Sequence, residues 1–369
     1  MLTDYIQSKI KIFDTQSSNT PSAPPNYDPL THYKEIAQSN YYKDLLLLRH
    51  IFKISCDDYM SHVINAINVD MYMYTVSASS PMGPGSDSKP VLFEFGGHKT
   101  YLTDSAQFGF EPILLNGIDK AYSYLPSLRG EDADYRHLNQ FYHTELELKG
   151  DRSDAMQIAE GLVKYLSAAF LASPNILKSI SAQPESTIKA LTDIVESKSF
   201  NRISFDDACK LLEENGCKEY INYTEMGRDI SSKGELKIME LLDAHTPIWM
   251  TDYDKNRVAF YQKPNPDDTT KVLNADLLFP PIISGSFGGE IIGLGQRQDT
   301  PEEIMQTLQE QQVSADAYNW YIELRKLPGY STTSGFGLGI ERFLAWSLCL
   351  ITIRDTIVYP RIKGEVAAP

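Results

Sequence analysis

Apolar side chains recur at helical spacing in the first third of the chain. Residues 41–67 carry them on one predicted helix face, among them Leu45, Leu48, Phe52 and Ile64. Spacings of three and four residues are typical of an amphipathic helix. We therefore predict one long helix here, with an apolar face that needs a cover.

Beyond this helix, strand-like and helical patterns alternate. Short runs rich in β-branched and aromatic residues predict strands, and clusters of glycine and proline predict loops. The predicted order is a strand at 69–76, a loop at 77–90, strands within 91–149, mostly helix over 152–245, and strands at 247–253 and 258–263.

The first 40 residues differ in character from the rest. Residues 14–30 are polar and rich in proline, which is typical of a linker or an irregular arm. We predict an N-terminal arm or linker at 1–40 and one large domain at 41–369. Residues 152–245 form a mostly helical insertion in that domain.

Composition indicates an ordinary globular protein. The chain has 369 residues, of which 42% are hydrophobic, enough for one large domain with appendages or for two domains. The cysteines lie far apart without a metal-binding spacing, so neither a zinc site nor a disulfide framework is expected. They are Cys56, Cys209, Cys217 and Cys349. No signal peptide or membrane span is recognisable, and a cytoplasmic protein is expected.

The net charge of −15, with a pI of about 4.9, limits the choice of partners. Proteins that bind nucleic acids usually carry a basic stripe, and no cluster of Lys or Arg with interleaved aromatics occurs here. A nucleic-acid partner is therefore disfavoured, although the net charge alone does not exclude one.

Three glycines at alternate positions precede a helical segment near the C-terminus. Gly335, Gly337 and Gly339 leave one face of an extended segment without side chains, so a flat ligand could lie against the backbone. Arg342 follows where the pattern becomes helical, and its guanidinium can stack on an aromatic ring or bind phosphate oxygens. By itself such a segment is equally often a packing device.

A second polar segment lies upstream. Residues 128–132 (LRGED) lead through a loop to residues 136–148, where a strand-like alternation places His137, Phe141, Glu145 and Glu147 on one face. Aliphatic side chains occupy the opposite face. The pattern indicates a sheet with one side on the core and one side lining a polar site.

These segments resemble the motifs of a known family. The string G-F-G-L-G-I-E-R at 335–342 resembles motif 3 of the class II aminoacyl-tRNA synthetases, and residues 128–148 resemble motif 2. The strings RHL at 136–138, GEIIGLGQR at 289–297 and NWYIELR at 319–325 resemble the asparaginyl/aspartyl subgroup, as do IRD and YPR nearer the C-terminus. The resemblance covers roughly residues 60–362. It implies an α+β fold with a mostly antiparallel sheet flanked by helices.

The resemblance implies attack of a carboxylate on the α-phosphate of ATP. Arg129 would bind the α-phosphate, Phe141 and Arg342 would enclose the adenine, and Glu131 with the backbone of Leu138 would read its edge. His137 would lie near the distal phosphates, and Glu290 would hold Mg²⁺ together with Asp276. Arg129, Glu290 and Arg342 are the expected catalytic residues. The remaining expected nucleotide contacts are Arg136, Gly339 and Glu341.

The resemblance also implies an amino-acid site. Gln107 matches the glutamine that contacts the α-amino end, and Arg297 matches the arginine that holds a carboxylate end. Ser105 is a further expected substrate contact. Glu111 matches the glutamate that accepts from a side-chain amide in asparaginyl enzymes, so an amide-bearing substrate is favoured over aspartate. Alternatively, Glu111 is a solvated carboxylate at the end of a strand.

Four departures from the family pattern affect mainly the amino-acid side. The motif 1 proline is Val76, and the glutamate expected before Gly85 is Pro84, for which Asp87 could substitute. The histidine expected before motif 3 is Thr333. About six extra residues lie within 281–288, between the two expected metal ligands. An intact nucleotide half with an altered amino-acid half indicates adenylation of a changed substrate.

Several functions remain open. We first expect an ATP-dependent, AMP-forming ligase that activates an asparagine- or aspartate-like carboxylate, with ammonia, an amine or a carrier thiol rather than tRNA as acceptor. Only about 40 residues precede the core, and they show no pattern of an anticodon-binding β-barrel. The alternatives are a reduced asparaginyl-tRNA synthetase, an asparagine synthetase that uses aspartyl-adenylate, and a non-catalytic amino-acid sensor.

A homodimer is also expected, because the apolar face of the first long helix needs a cover.

Overall fold

A computed structural model of the chain describes residues 2–79 and 88–368. The helices are α1 (Asp4–Asp14), α2 (His32–Gln38), α3 (Asn40–Asp58), α4 (Gln107–Leu115), α5 (Arg152–Leu171), α6 (Pro174–Ile180), α7 (Pro184–Glu196), α8 (Phe205–Glu214), α9 (Ser232–Leu241), α10 (Pro301–Glu310), α11 (Asn319–Leu324) and α12 (Ile340–Ser347). The strands are β1 (Ile67–Asn68), β2 (Tyr74–Thr75), β3 (Leu92–Phe95), β4 (His98–Leu102), β5 (Lys120–Leu128), β6 (Gln140–Lys149), β7 (Asn201–Ser204), β8 (Ile221–Thr224), β9 (Gly227–Ile230), β10 (Ile248–Thr251), β11 (Pro264–Asn265), β12 (Asp268–Val272), β13 (Asn274–Phe279), β14 (Gly289–Gln296) and β15 (Thr333–Gly339).

One eight-stranded sheet organises the molecule, in the order β1-β5-β6-β15-β14-β13-β10-β7. Its five central pairings are antiparallel, and only the outer pairs β1–β5 and β10–β7 are parallel. Helices pack against it, so the predicted α+β class with a mostly antiparallel sheet is confirmed.

The main core lies on one face of this sheet. Alternate residues of the central strands, such as Leu146, Phe336 and Leu338, are fully buried in the same apolar cluster as residues of α3 and α5. An aspartate capping box fixes the start of α5: the Asp151 carboxylate accepts from the backbone of Ser153 and Asp154. The opposite face of the central strands is left for polar chemistry.

The long helix predicted at 41–67 is shorter than expected. α3 ends at Asp58 and continues as a π-helical turn over Tyr59–Val63. Its apolar face is covered by the same chain, since Leu45, Leu48 and Phe52 are fully buried. The reason given for a homodimer, an apolar helix face without a cover, is therefore wrong, and the homodimer itself stays a prediction.

The N-terminal residues are more ordered than an arm. α1 packs through Ile6 and Ile10 into the main core, and the Asp14 carboxylate accepts from two backbone N–H groups at the start of α6, each at 3.0 Å. Of residues 14–30, which the sequence predicts as a linker, only Asp14, the last residue of α1, lies in a helix or strand. The boundary at residue 40 remains a prediction.

Two strand predictions were wrong in extent. The strand predicted at 69–76 is reduced to β2, and residues 258–263 form no strand because a 3-10 turn at Lys255–Arg257 leads into β11 instead. Residues 152–245 are mostly helical as predicted. They also supply β7 to the large sheet and a separate hairpin, β8–β9.

Candidate active site

Glycines from two neighbouring strands form the floor of a cleft on the polar face of the sheet. Gly293 pairs with Gly337, and Gly295 pairs with Gly335. Cross-strand partners point to the same face, so this pairing removes side chains from a patch two strands wide. Carboxylates flank it, because Gly337 pairs with Glu145 on one side and Gly293 with Asp276 on the other.

The space above this floor is only partly open. A Cβ on Gly335 would collide with the carboxylate of Glu147, whereas a Cβ on Gly337 would meet Glu145 only at 3.6 Å. The prediction of a backbone surface free for a flat ligand therefore applies to Gly337 and not to Gly335. The Glu147 side chain already occupies the space that Gly335 leaves.

Two adjoining cavities lie over the floor. The larger, of about 370 Å³, is lined by Ser105, Gln107, Glu145, Tyr261, Gln262, Asp276 and Arg297, among others. The smaller, of about 90 Å³, is lined by Glu131, Arg136, His137, Leu138, Phe141, Gly339, Glu341 and Arg342, among others. Arg129, His143, Glu290 and Gly337 line both. The residues expected to bind nucleotide thus line one cavity, and three of the four expected to bind the amino acid line the other.

Arg129 occupies the junction between the two cavities. It directly follows β5, and its guanidinium carbon lies 5.3 Å from the centre of the Phe141 ring. The Asn139 amide donates to the carbonyl oxygens of Arg129 and Glu131, at 2.9 and 2.7 Å, which fixes this loop. The buried Nε of Arg129 has no hydrogen-bond partner among the described residues. Such a cation suits an anionic ligand.

Arg342 and Glu290 form an ion pair beside this junction. One guanidinium nitrogen of Arg342 donates to the Glu290 carboxylate at 2.9 Å and to the Glu290 carbonyl at 3.0 Å. Burial opposes ionisation of Glu290, but the charge of Arg342, assisted by Arg136 and Arg129, outweighs it and lowers the Glu290 pKa. Glu290 is therefore an ionised carboxylate at neutral pH.

The pKa of Asp276 is shifted in the opposite direction. Burial, and then the negative charge of Glu290, raise the pKa of Asp276 well above its usual range. Oε1 of Glu290 and Oδ1 of Asp276 both lie within 4 Å of the point that a Cβ on Gly293 would occupy. In the described part of the chain, no group of three or more His, Cys, Asp or Glu could enclose a metal ion. Two neighbouring carboxylates nevertheless suit Mg²⁺, which commonly takes its other ligands from water and phosphate.

Several expected nucleotide residues are already engaged within the protein. The Arg136 side chain is buried and bound to Glu235 and to the Gly288 carbonyl, each at 3.0 Å. Glu341 forms an ion pair with Arg49 at 2.8 Å and accepts from the Tyr142 backbone. These groups shape the wall of the smaller cavity.

The other members of this set are less constrained. His137 Nδ1 lies 2.9 Å from the Asp134 carboxylate, and its Nε2 lies 3.3 Å from Arg342. The Glu131 carboxylate accepts from the Lys89 backbone at 3.2 Å.

The larger cavity holds a buried carboxylate that the sequence analysis did not count as a site residue. Glu145 accepts from the Ser105 hydroxyl at 2.5 Å and from the Ala106 backbone at 2.8 Å. Burial raises the Glu145 pKa to about 7, although these donors oppose the rise. Gln107, the first residue of α4, lines the same wall. A carboxylate and an amide together suit an ammonium group.

A second ion pair closes the far end of this cavity. Arg297 donates two hydrogen bonds to Glu147, at 2.8 and 2.7 Å, and its guanidinium carbon lies 5.1 Å from the centre of the Tyr261 ring. Burial raises the pKa of Glu147 to about 7 against the lowering effect of Arg297. The Gln262 side chain covers Gly295 beside this pair. Above pH 7, where Glu147 is ionised, the charges of Glu147 and Arg297 balance each other.

Glu111 does not lie where the sequence analysis expects it. It is in α4, 1% exposed, and does not line either cavity. Its carboxylate accepts from the Tyr321 hydroxyl at 2.5 Å and pairs with Arg325 at 2.7 Å. The alternative of a solvated carboxylate at the end of a strand is wrong, because Glu111 is buried in a helix and burial requires a partner for this charge. Direct contact between Glu111 and a substrate stays a prediction.

Other cavity residues escaped the sequence analysis. His143 lines both cavities, bonds Ser127 at 2.9 Å, and has a pKa lowered to about 3 by burial and by Arg129. The alternation along β6 places His143 on the same face as Phe141 and could have identified it. Asp229 and Arg257 also line the larger cavity. No local sequence pattern in residues 220–257 indicates that these two side chains belong to a site.

The structure describes some of the positions at which the sequence departs from the family pattern. Val76 is 65% exposed, and Thr333 is buried. Pro84 and Asp87 lie outside the described residues. The extra residues at 281–288 form turns whose Phe287 ring lies 5.5 Å from the guanidinium of Arg136.

Known proteins resemble the chain over most of its length. The family described as tRNA synthetases class II (D, K and N) matches residues 84–363. The asparagine–tRNA ligase of Thermococcus kodakarensis is 36% identical over 268 residues, which are 72% of this chain and 58% of that protein. That of Ureaplasma parvum is 34% identical over 280 residues, with 74% and 59% covered. The chain thus spans less than two thirds of these relatives.

A solved structure agrees with this relation. The crystal structure of asparaginyl-tRNA synthetase from Pyrococcus horikoshii complexed with asparaginyl-adenylate has a TM-score of 0.80 and 27% identity, and covers 91% of this chain and 72% of that one. No helix in the described part of the chain is both long and apolar enough to cross a membrane. With the family match extending over most of its residues, the chain belongs to the class II tRNA synthetases of the D, K and N type.

Proposed function

We propose that the protein is an ATP-dependent, AMP-forming ligase that adenylates asparagine or a closely related carboxylate. The observation that carries this proposal is Arg129, a cation whose buried Nε has no partner among the residues that the structure describes, placed where the nucleotide and amino-acid cavities meet. In the reaction, an oxygen of the substrate carboxylate attacks the α-phosphorus of ATP. The bond between the α-phosphorus and the bridging oxygen breaks, and pyrophosphate leaves.

The smaller cavity would hold the adenine and the α-phosphate. Hydrogen bonds to Glu290 run in the plane of the Arg342 guanidinium, so its face is left to stack on adenine opposite Phe141. Arg129 would stabilise the negative charge that develops on the α-phosphate oxygens in the transition state. Glu290 and Asp276 would hold Mg²⁺, which neutralises the charge of the phosphates.

The larger cavity would hold the amino acid. Glu145, which its pKa of about 7 leaves ionised in slightly alkaline solution, and the amide of Gln107 suit the α-ammonium group, and Arg297 lies at the far end. Arg297 is already neutralised by Glu147, and Arg325 by Glu111. A neutral carboxamide is therefore a better substrate side chain than a further carboxylate. Glu111 would favour asparagine only through this balance of charge and not by contact.

The acceptor of the acyl group is the second part of the proposal. A small acceptor such as ammonia, an amine or a carrier thiol is supported by the net charge of −15, which disfavours a polyanion. Charging of tRNA is the second candidate, and the names of the relatives, asparagine–tRNA ligases, favour it. A silent amino-acid sensor is the least consistent, because phosphate and metal ligands are retained together.

ATP–pyrophosphate exchange across a panel of amino acids tests the proposal. We expect asparagine to support exchange in the presence of Mg²⁺ and Arg129→Ala to reduce it by about 100-fold or more. Exchange that depends on aspartate would instead identify an asparagine synthetase that forms aspartyl-adenylate. Absence of exchange by the unmodified protein with every amino acid would refute the enzyme proposal.

We also propose a homodimer formed through the small sheet β2-β4-β3. This sheet carries exposed apolar side chains, including Tyr74 (50% exposed), Leu92 (52%) and Phe95 (60%), and Val76 (65%) directly follows β2. An exposed apolar patch of this kind marks an interaction surface. The segment around Val76 is also where the motif 1 proline is expected.

A further inference from the structure

Helix α9 brings a carboxylate from the predicted insertion to the edge of the active site. Glu235 lies in the first turn of α9, and its side chain is 15% exposed. One carboxylate oxygen accepts from the backbone N–H of Glu290 at 3.0 Å and forms an ion pair with Arg136, also at 3.0 Å. Glu235 therefore contacts the main chain of the residue expected to hold the metal.

Arg136 holds the same backbone from the other side. One of its terminal nitrogens donates to the Gly288 carbonyl at 3.0 Å, while the other pairs with Glu235. The side chain is 3% exposed. Its two terminal nitrogens are thus committed to protein groups, which leaves Arg136 poorly placed to bind a phosphate directly.

Between these two contacts lies Gly289, which shows why the arrangement is specific. Its φ is +96°, a conformation that other residues rarely adopt. A Cβ at this position would collide with both the Arg136 guanidinium and the Glu235 carboxylate. The backbone of residues 288–290 is therefore fixed by side chains from two separate elements, just where β14 begins and Glu290 is placed.

We infer that Glu235 is a positioning residue for the metal carboxylate Glu290, and that the Glu235–Arg136 pair aligns that carboxylate for Mg²⁺ and ATP. The inference rests on the proposed function, in which Glu290 binds Mg²⁺. Groups that orient a metal ligand without touching the metal commonly change metal affinity about 10- to 100-fold when they are removed. The segment 152–245 then acts as part of the active-site scaffold.

The Mg²⁺ dependence of pyrophosphate exchange tests this inference. We expect Glu235→Ala to raise the Mg²⁺ concentration for half-maximal exchange about tenfold, and Glu235→Gln to raise it less, because one acceptor oxygen remains. The amino-acid KM should change less than twofold. Glu240→Gln, at an exposed glutamate on the same helix, is the matched control and should behave as the unmodified protein. An unchanged Mg²⁺ dependence in a folded Glu235 variant would overturn the inference.

Two further measurements keep the test decisive. Glu235→Ala leaves Arg136 buried without its partner and can fail to fold, so the double variant Arg136→Gln/Glu235→Gln, which removes both charges, is measured beside it. Calorimetric binding of Mg²⁺ with a non-hydrolysable ATP analogue separates this inference from the proposed function. If exchange is absent but Glu235→Gln weakens Mg²⁺-dependent binding, the inference holds and the proposed activity fails. If the unmodified protein shows no Mg²⁺-dependent binding, both fail.

Discussion

Substitution of Glu145 by glutamine should make the protein more stable and less active. In the folded protein, burial raises the Glu145 pKa from its ordinary value of 4.5 to about 7. Glutamine has nearly the same shape and carries no charge. Its oxygen can still accept from the Ala106 backbone, and the Ser105 hydroxyl can rotate to accept from its NH₂ group. The substitution therefore removes mainly the penalty of burying a charge.

The size of the effect follows from the two pKa values. A rise from 4.5 to about 7 corresponds to about 3 kcal/mol by which the folded state disfavours the ionised form. Because the pKa of Glu145 is higher in the folded than in the unfolded protein, the protonated side chain stabilises the fold relative to the ionised one. This stabilisation is fully present below pH 4.5 and is lost as the pH rises through 7. Glu145→Gln should therefore increase the free energy of unfolding at pH 8 by up to about 3 kcal/mol and leave it nearly unchanged near pH 4.5.

Denaturant unfolding between pH 5 and pH 8 measures this effect. The unmodified protein should lose stability over that range, partly through Glu145 and partly through Glu147, whose pKa is also raised to about 7. Glu145→Gln should remove the part of this loss that comes from Glu145, up to about 3 kcal/mol, and Glu240→Gln should leave the pH dependence unchanged. The same variant should raise the amino-acid KM at pH 8, because the ammonium loses its counter-charge. An unchanged slope in Glu145→Gln would refute the reasoning.

Four further predictions test other parts of the molecule. Arg129→Ala should remove about 3 kcal/mol or more of transition-state stabilisation from pyrophosphate exchange, with little change in the free energy of unfolding. Exchange near the unmodified rate would contradict the role of Arg129. Phe95→Asp should convert a dimer to a monomer in sedimentation experiments at micromolar concentration, and a monomeric unmodified protein would exclude the dimer. Glu111→Gln should lower the free energy of unfolding by about 3 kcal/mol, since it breaks the buried pair with Arg325, yet keep the preference for asparagine over aspartate; loss of that preference would restore direct recognition by Glu111. Filter-binding and charging assays with tRNA(Asn) at about 0.1 M salt should show no stable aminoacylation, and efficient charging would identify the second candidate function as the correct one.

Local periodicity predicted the part of the floor that β15 supplies and much of the lining of the cleft, whereas the glycines that β14 supplies were not predicted as part of the floor. Alternation along β6 and the glycines of β15 have a period of two, so the face on which Phe141, Glu145 and Gly337 lie follows from the sequence alone. The residues expected to bind nucleotide could be named because they belong to contiguous motifs. All of them line the smaller cavity, and their binding of a nucleotide stays a prediction.

The partners of these residues could not be predicted in the same way. Glu235 contacts Arg136 across 99 residues of sequence and Glu290 across 55, and Tyr321 reaches Glu111 across 210. No periodic pattern links positions so far apart. The same sequence position can then offer a carboxylate to a ligand or commit it to a buried arginine, and only the fold decides which of the two occurs.

The glycine floor also determines how this cleft can change by mutation. Main-chain atoms form the surface at Gly293 and Gly337, and no substitution can remove them. Every replacement at either position adds atoms, so the cleft can become shallower from below but never deeper. A broader choice of substrates can therefore arise only through the walls, at positions such as Gln107, Tyr261 and Gln262. Selection for a new substrate would leave the floor unchanged and would act on its borders.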